Sequence, residues 1–412
     1  MNSVAAENSL SAASVRAARE RTHGQFIVTP TLPHPAFSQL TGCDVVVKYE
    51  NMQHSGAFKA RGAIARLTTL LPAQREAGVV AMSAGNHAQG VAFHAARLGI
   101  PATIVMPKGT PFEKVRKTSG YGGKVELEGE TFAEAAEAAQ RMVRERGLTL
   151  IHPFDDVDVI SGQGVIGSEM LEAAPDLDMI VVPIGGGGLI AGIALAAKAA
   201  KPGIRIVGVE AELYPAMINA LTQSNRPCAG ATVAEGIAVR DAGPIAIPVV
   251  RALVKEILTV SEANIERAIS LYATLAKTVA EGAGAAPLAA VLEHPEKFKG
   301  RRVGLVLSGG NIDARMLASV LMRDLVRSGR ILTLVVELPD RPGSLAAIAS
   351  ICAELGANVL EVSHSRFALD LAASAARLGI TIETRDQAHA AQVMERIRAD
   401  GFALTVRNPI ET

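Results

Sequence analysis

Lys59 is the residue around which the chemistry of this chain is organised. It stands in His54-Ser55-Gly56-Ala57-Phe58-Lys59-Ala60-Arg61-Gly62-Ala63. A strand-like run, Asp44-Val45-Val46-Val47-Lys48-Tyr49-Glu50, and a polar turn, Asn51-Met52-Gln53, precede it, and an alanine-rich helical pattern follows. Near a helix start the backbone amides and the dipole disfavour a cation, so a lysine there is a poorer ammonium and a better amine. Such an amine can hold a Schiff base whose imine is exchanged for a substrate amine, with Phe58 against the group so held. A lone lysine is nearly always a solvated surface charge, so the reading depends on what else the chain brings.

Three other stretches bring complementary groups. Ser83-Ala84-Gly85-Asn86-His87-Ala88-Gln89-Gly90 follows a strand-like run. Ser83, the amides near Gly85 and Asn86 can receive a carboxylate or a ring hydroxyl there. Taken alone, the stretch reads better as a glycine turn with a capping serine. Gly185, Gly186, Gly187 and Gly188 stand between a strand-like run and the helical start Leu189-Ile190-Ala191-Gly192. Consecutive glycines let amides converge on a phosphate at a helix N-terminus, and a flexible turn is the minority reading. No lysine follows, so this is not the loop of nucleotide hydrolases. Ser308-Gly309-Gly310-Asn311 ends the last strand-like run before the C-terminal part. Its serine suits a ring nitrogen that carries no proton, or equally a helix cap. Together the stretches suit a phosphorylated aromatic aldehyde. His87 is a candidate acid or base, but such a residue is more often structural and stays outside the catalytic set, as do His152 and Cys43. No His/Cys cluster has metal-ligand spacing.

The elements that must position these groups follow from the pattern. Short aliphatic runs near residues 44–50, 78–82, 102–106, 124–128, 148–151, 179–184, 205–210, 256–260 and 302–307 alternate with helical patterns. That alternation predicts βαβ units, an α/β fold with mostly parallel sheets, and ligands at strand ends. A length of 412 residues allows two or three domains. Only 3% of residues are aromatic and none is tryptophan, so the core is aliphatic, as sheets covered on both faces require. The 41 basic and 41 acidic residues cancel, which argues against nucleic acid and membrane surfaces as partners. No apolar run approaches the ~18 residues that span a bilayer. Cys43, Cys228 and Cys352 are scattered, as in a reducing, cytoplasmic setting. Residues 1–24 read as an amphipathic helix; Glu7 and Glu20 interrupt the composition of a transit peptide.

After a linker at about residues 326–331 the pattern changes. Strands at 331–338, 358–362, 378–382 and 402–406 enclose two helical patterns. The first carries Leu345, Ile348, Cys352 and Leu355, the second Ala390, Val393, Met394 and Ile397. The order βαββαβ predicts a ferredoxin-like module.

With these stretches assembled, residues 20–325 resemble the threonine dehydratase (threonine ammonia-lyase) family of fold-type II pyridoxal-phosphate enzymes. The motifs are those around Lys59, Ser83, Gly185 and Ser308, with His152-Pro153-Phe154-Asp155-Asp156, Gly162-Gln163-Gly164 and Glu281-Gly282-Ala283-Gly284-Ala285 in the same order. The C-terminal module resembles an ACT domain through Asp340-Arg341-Pro342-Gly343-Ser344-Leu345 and Gly356-Ala357-Asn358-Val359. The resemblance implies that Lys59 holds pyridoxal phosphate and then takes the substrate's Cα proton. It implies that Phe58 packs on the ring, Asn86 bonds the ring hydroxyl, Gly185 to Leu189 take the phosphate and Ser308 faces the pyridine nitrogen. Ser83, Gly85 and His87 would surround the substrate carboxylate, with Glu281 behind them. The implied reaction is loss of water from L-threonine, or also L-serine, ending in 2-oxobutanoate and ammonia. The implied domains are a catalytic part, 1–328, with a small subdomain at about 45–155 inserted in a larger one, and a regulatory module, 331–412. Gly343 and Asn358 would meet an isoleucine or valine effector, and paired modules would make a homodimer or homotetramer.

Two positions depart from the family. Ala57 stands where relatives usually have serine, and Ala216 stands where relatives with a divalent cation have an acidic residue. No metal is therefore expected. Ala84 offers no hydroxyl to the second face of a planar intermediate, which disfavours serine racemase. A dehydratase of serine or 3-hydroxyaspartate is the remaining rival within the family. An amino-acid sensor without catalysis is the rival outside it, and an intact Lys59 argues against that.

Overall fold

A computed structural model describes residues 9–366, 372 and 374–407. The strands are β1 (Thr31–Pro33), β2 (Asp44–Tyr49), β3 (Val79–Met82), β4 (Ala102–Met106), β5 (Lys124–Leu127), β6 (Thr149–Leu150), β7 (Met179–Pro183), β8 (Arg205–Ala211), β9 (Glu256–Val260) and β10 (Arg302–Leu307). Four more follow: β11 (Ile331–Pro339), β12 (Asn358–Ser365), β13 (Ala375–Glu383) and β14 (Ala403–Arg407). Contacts divide the chain into two units, residues 1–312 and 313–412.

The first unit holds two sheets. The larger runs β1-β2-β10-β7-β8-β9, parallel throughout except for β1. The smaller runs β5-β4-β3-β6, all parallel. Central strands such as β7 and β10 are buried on both faces, which is why they read as unbroken aliphatic runs rather than alternating ones. β1 escapes the sequence pattern because it is three residues long, ends in a proline and sits at an edge. The inserted subdomain was expected to begin near residue 45. β2 instead pairs with β10 in the larger sheet, so the small sheet spans only β3 to β6. Its own core, with Val79, Ala81, Ile104 and Ile151, is distinct from that of the larger sheet, with Ile180, Val182, Ile190 and Ile206.

The N-terminal helix runs from Ala12 to Arg21 behind a Ser11–Ser14 capping box; residues 1–8 of the expected helix lie outside the described residues. Among the described residues no helix is long and apolar enough to cross a membrane.

The second unit begins with the helix Ala314–Arg327, ahead of the expected linker at 326–331. Its sheet, β12-β13-β11-β14, is antiparallel and carries the helices Ser344–Leu355 and Gln387–Ala399. The βαββαβ order is the one expected. Of the residues expected on the first helix's buried face, Ile348 and Cys352 are buried, Leu355 is half-buried against the core and Leu345 is exposed; Ile351 is buried as well.

Candidate active site

The candidate residues gather where parallel strands end. β2 leads through two short turns into the helix Lys59–Leu67, whose first residue is Lys59. β3 leads into the loop before the helix Asn86–Arg97, β7 into the glycines before the helix Gly188–Ala200, and β10 into Ser308. Carboxyl ends of adjacent parallel strands are where open α/β sheets place ligands. Phe58, Lys59, Ser83, Gly85, Asn86, Gly185 and Glu281 are all part-exposed while their chain neighbours are largely buried, as residues lining an opening would be.

Backbone bonds stitch these loops together. The Phe58 amide donates to the Ser308 carbonyl at 3.0 Å, the Gly310 amide to Gly56 at 3.0 Å and the Glu281 amide to Gly309 at 3.1 Å. Ala57 and Gly309 form a single antiparallel bridge. Ser308 itself is buried.

Lys59 donates from Nζ to the Pro153 carbonyl at 2.7 Å. No carboxylate forms an ion pair with it among the described residues. Burial pushes its amine down to about 8, only partly offset by the charge of Glu281. The segment that holds it was not singled out for a role by sequence. Residues 151–155 also accept the Nε2–H of His87 at the Ile151 carbonyl (2.8 Å), place Phe154 against the glycine loop, and cap Ile245 through the Asp155 carboxylate at 2.9 Å.

His87 is buried, and burial first, then the charge of Lys59, pushes it down to about 3. It is a neutral ring turned to a carbonyl, so what it offers a substrate carboxylate is its first-turn amide. Ser83 accepts the Gly85 amide at 3.1 Å, and no side chain caps this helix. A Cβ added at Gly85 would meet nothing within 4 Å, so space opens in front of that helix start.

The glycine loop is shaped by the absence of side chains. Gly187 has φ +92° and caps the helix Gly188–Ala200 without a side-chain bond. A Cβ on Gly186 would lie 2.2 Å from the Phe154 ring. Leu189 follows on the first turn, buried. The first-turn amides are thus left to an anion.

Behind Lys59 lies a cluster that the sequence analysis passed over. Arg61 makes two bonds to Glu50 (2.7 and 2.8 Å) and two to Glu169 (2.7 and 2.8 Å). Lys48 reaches Glu169 at 2.5 Å and the Thr29 carbonyl at 2.8 Å. All four charged side chains are buried. Burial works to raise Glu50, yet the Arg61 guanidinium holds it below the usual range. The signal was present: Lys48 and Glu50 are charges in a strand run otherwise built for burial.

At the end of β8, Glu210 gives both oxygens to backbone amides, Met217 at 2.6 Å and Ile218 at 3.1 Å, and burial raises it to about 7. Ala216 adds no second carboxylate there. Among the described residues no group of three or more His, Cys, Asp or Glu is placed to hold a metal ion.

Comparison with known proteins decides the family. The pyridoxal-phosphate dependent enzyme family matches residues 24–309. The chain belongs to it. The pyridoxal-phosphate enzyme part is followed by an ACT domain, matched at residues 332–402. An L-threonine ammonia-lyase of Thermotoga maritima is 43% identical over 371 residues, covering 90% of this chain and 92% of that protein. One from Geobacter sulfurreducens is 43% identical over 372 residues, with 90% and 92% covered. Among solved structures, a threonine deaminase from T.th. superposes with a TM-score of 0.69 at 39% identity, over 74% of this chain and 99% of that one. A maize serine racemase gives 0.72 at 34%, over 77% and 99%.

The cofactor of a pyridoxal-phosphate enzyme fits the residues present. A depressed lysine amine, an uncapped glycine helix start and the buried hydroxyl of Ser308 match its aldehyde, phosphate and ring nitrogen in kind. The site residues expected in the first unit follow the carboxyl ends of β2, β7 and β10 in the larger sheet and of β3 in the smaller one, and side-chain bonds join Asn86 to Glu281 and Asn311. In the ACT domain, Gly343 has φ +92° at the uncapped start of Ser344–Leu355, and Asn358 begins β12; both are exposed.

Proposed function

We propose that this enzyme removes water from L-threonine with pyridoxal phosphate, giving 2-oxobutanoate and ammonia. The observation that carries the reading is the Lys59 amine, enclosed and held down to about 8 beside an uncapped glycine helix start. Two relatives at 43% identity carry the name L-threonine ammonia-lyase, which supports threonine as substrate.

The bound cofactor supplies an electron sink for the carbanion at the substrate's Cα. Lys59 links the cofactor, and once its amine is freed it accepts the Cα proton at Nζ. An amine near 8 is about one-tenth unprotonated at pH 7 and half at pH 8, far more than an ordinary lysine near 10.5, so a base is within reach at mildly basic pH. Amides of Gly185 to Leu189 would hold the phosphate. Ser308 would serve the ring nitrogen with a hydroxyl that does not hold a proton on it. Phe58 would pack on the ring, and Asn86 would bond the ring hydroxyl with Glu281 behind it. Ser83 and the amides at Gly85 and His87 orient the substrate carboxylate. The β-hydroxyl would leave as water, taking up the proton that Lys59 Nζ accepted from Cα, and a water would return when the released enamine hydrolyses. Ala84 has no hydroxyl to return a proton to the opposite face of Cα, so elimination prevails over racemisation.

The ACT domain serves as an amino-acid sensor, with the Gly343 amide region and Asn358 receiving isoleucine or valine. A second copy would pair with the exposed edge strand β12 in a homodimer or homotetramer. Buried Cys43 and Cys352 without disulfides suit a cytoplasmic setting.

Lys59→Ala should lose turnover with L-threonine by several powers of ten, since linkage and proton removal both go. Full activity in that variant overturns the assignment.

A further inference from the structure

One hydrogen-bond chain runs through the candidate site and has a forced direction. Asn311 Nδ2 lies 2.6 Å from the Ser55 carbonyl and 2.8 Å from Asn86 Oδ1. Asn86 Nδ2 lies 2.8 Å from Glu281 Oε1. A backbone carbonyl only accepts, so the Asn311 atom at Ser55 must be its nitrogen. An amide nitrogen only donates, so the Asn86 atom facing it must be the oxygen. The Asn86 nitrogen is then left on the other side, with one hydrogen on Glu281 and the second available to an oxygen of the ring.

The surroundings are built to keep Asn311 there. Ser55, whose carbonyl starts the chain, has φ +57°, a conformation that side chains other than glycine seldom adopt. A Cβ on Gly56 would lie 2.8 Å from Asn311 Oδ1, and one on Gly309 would lie 2.5 Å from Glu281 Oε1. Both ends of the chain therefore occupy space that two glycines leave open.

We propose that Asn311 is a positioning residue: through Ser55 it fixes the Asn86 amide so that a donor, not an acceptor, meets the ring hydroxyl of the cofactor. This rests on the reading that Asn86 meets that hydroxyl. A donor there stabilises the ionised ring oxygen. An amide turned the other way would favour the protonated one. Asn311 thereby sets the charge of the ring without touching it.

The test is the pH dependence of the visible spectrum of the cofactor-loaded full chain without substrate. Asn311→Asp keeps the shape but cannot donate to Ser55 or to Asn86 Oδ1, so Asn86 turns its nitrogen toward residue 311. The ring-hydroxyl midpoint should rise, changing the ratio of the two ring forms at a given pH by about tenfold to a hundredfold, the effect of one charge-assisted hydrogen bond. Asn311→Ala, which frees the amide without adding charge, should move the midpoint the same way by less. It decides the matter if the Asp variant does not fold. A loosened fold alone would weaken cofactor binding and leave the midpoint in place. Asn86→Ala serves as reference. If it shifts the midpoint and both Asn311 variants match the wild type, the proposal is overturned and the Asn86 reading stands. If Asn86→Ala leaves the midpoint unmoved, the Asn86 reading falls and the proposal with it.

Discussion

Replacing Lys59 by methionine in the cofactor-free protein should make the catalytic unit more stable at neutral pH. Burial brings the amine from its ordinary 10.5 to about 8, against the pull of Glu281. The unfolded chain carries it near 10.5, so between about pH 8 and 10.5 the unfolded state binds more protons than the folded one, and stability rises with pH. Below pH 8 the whole penalty stands, about 3 kcal/mol; above 10.5 it is gone. Two effects reduce the gain from methionine. Lys59 is part-exposed as a residue, so water near it screens some of the charge. The bond to the Pro153 carbonyl, about 1 kcal/mol, is also lost. A net gain of about 1–2 kcal/mol at pH 7 remains, shrinking to nothing or reversing near pH 10.5. Urea midpoints followed by circular dichroism at pH 7, 8, 9 and 10 measure it. The C-terminal unit is the same in both proteins and drops out of the difference. A variant less stable than wild type at pH 7, or a gap constant across the range, refutes the reasoning.

Gly186→Asp should weaken cofactor affinity by tenfold or more, since any side chain collides with the Phe154 ring and a carboxylate repels the phosphate; cofactor titration checks this, and an unchanged dissociation constant places the phosphate elsewhere. Glu169→Ala strips Arg61 and Lys48 of a shared partner in a buried cluster and should cost about 3–5 kcal/mol, read as a fall in the unfolding midpoint; a loss under about 1 kcal/mol means the cluster rearranges or admits water. A chain ended after Ile312, where the two units divide, should keep elimination activity and lose its response to isoleucine or valine. Assays of both proteins with each amino acid decide it: a full-length enzyme that responds to neither has a different effector or none, and a truncated one that still responds binds it in the catalytic unit.

The sheets were legible because parallel strands buried on both faces cannot alternate, and their aliphatic runs announce themselves. Which sheet a strand joins was not legible. β2 precedes Lys59 in sequence and so looked like the opening of the inserted subdomain, but its partner β10 lies some 250 residues away in sequence. No local pattern carries that pairing. The same limit applies at the site. Lys59, Asn86, the glycines and Ser308 are marked by their place after a strand. Pro153 stands in a motif, yet its role there is not readable, because what it contributes to Lys59 is a backbone carbonyl, which every residue possesses. Asn311 was visible within a motif, but its task depends on facing Ser55, 256 positions earlier.

The two cations at the start of the helix Lys59–Leu67 are treated in opposite ways, and each treatment requires the other. At about 100° per residue Arg61 points about 200° around the helix from Lys59. Arg61 is met by two carboxylates through four hydrogen bonds and by the Phe26 ring at 4.5 Å. Lys59 has a carbonyl and no ion-pair partner among the described residues. An amine kept without a counter-ion repels water poorly and would swing outward if its helix could rotate or slide. The helix cannot, because Glu50 at the end of β2 and Glu169 on the helix Val157–Ala173 hold it through Arg61. Gly62 also presses so close that a Cβ there would sit 2.3 Å from Gln163 Nε2. The fully compensated charge on the back of the helix is what lets the front carry an uncompensated one.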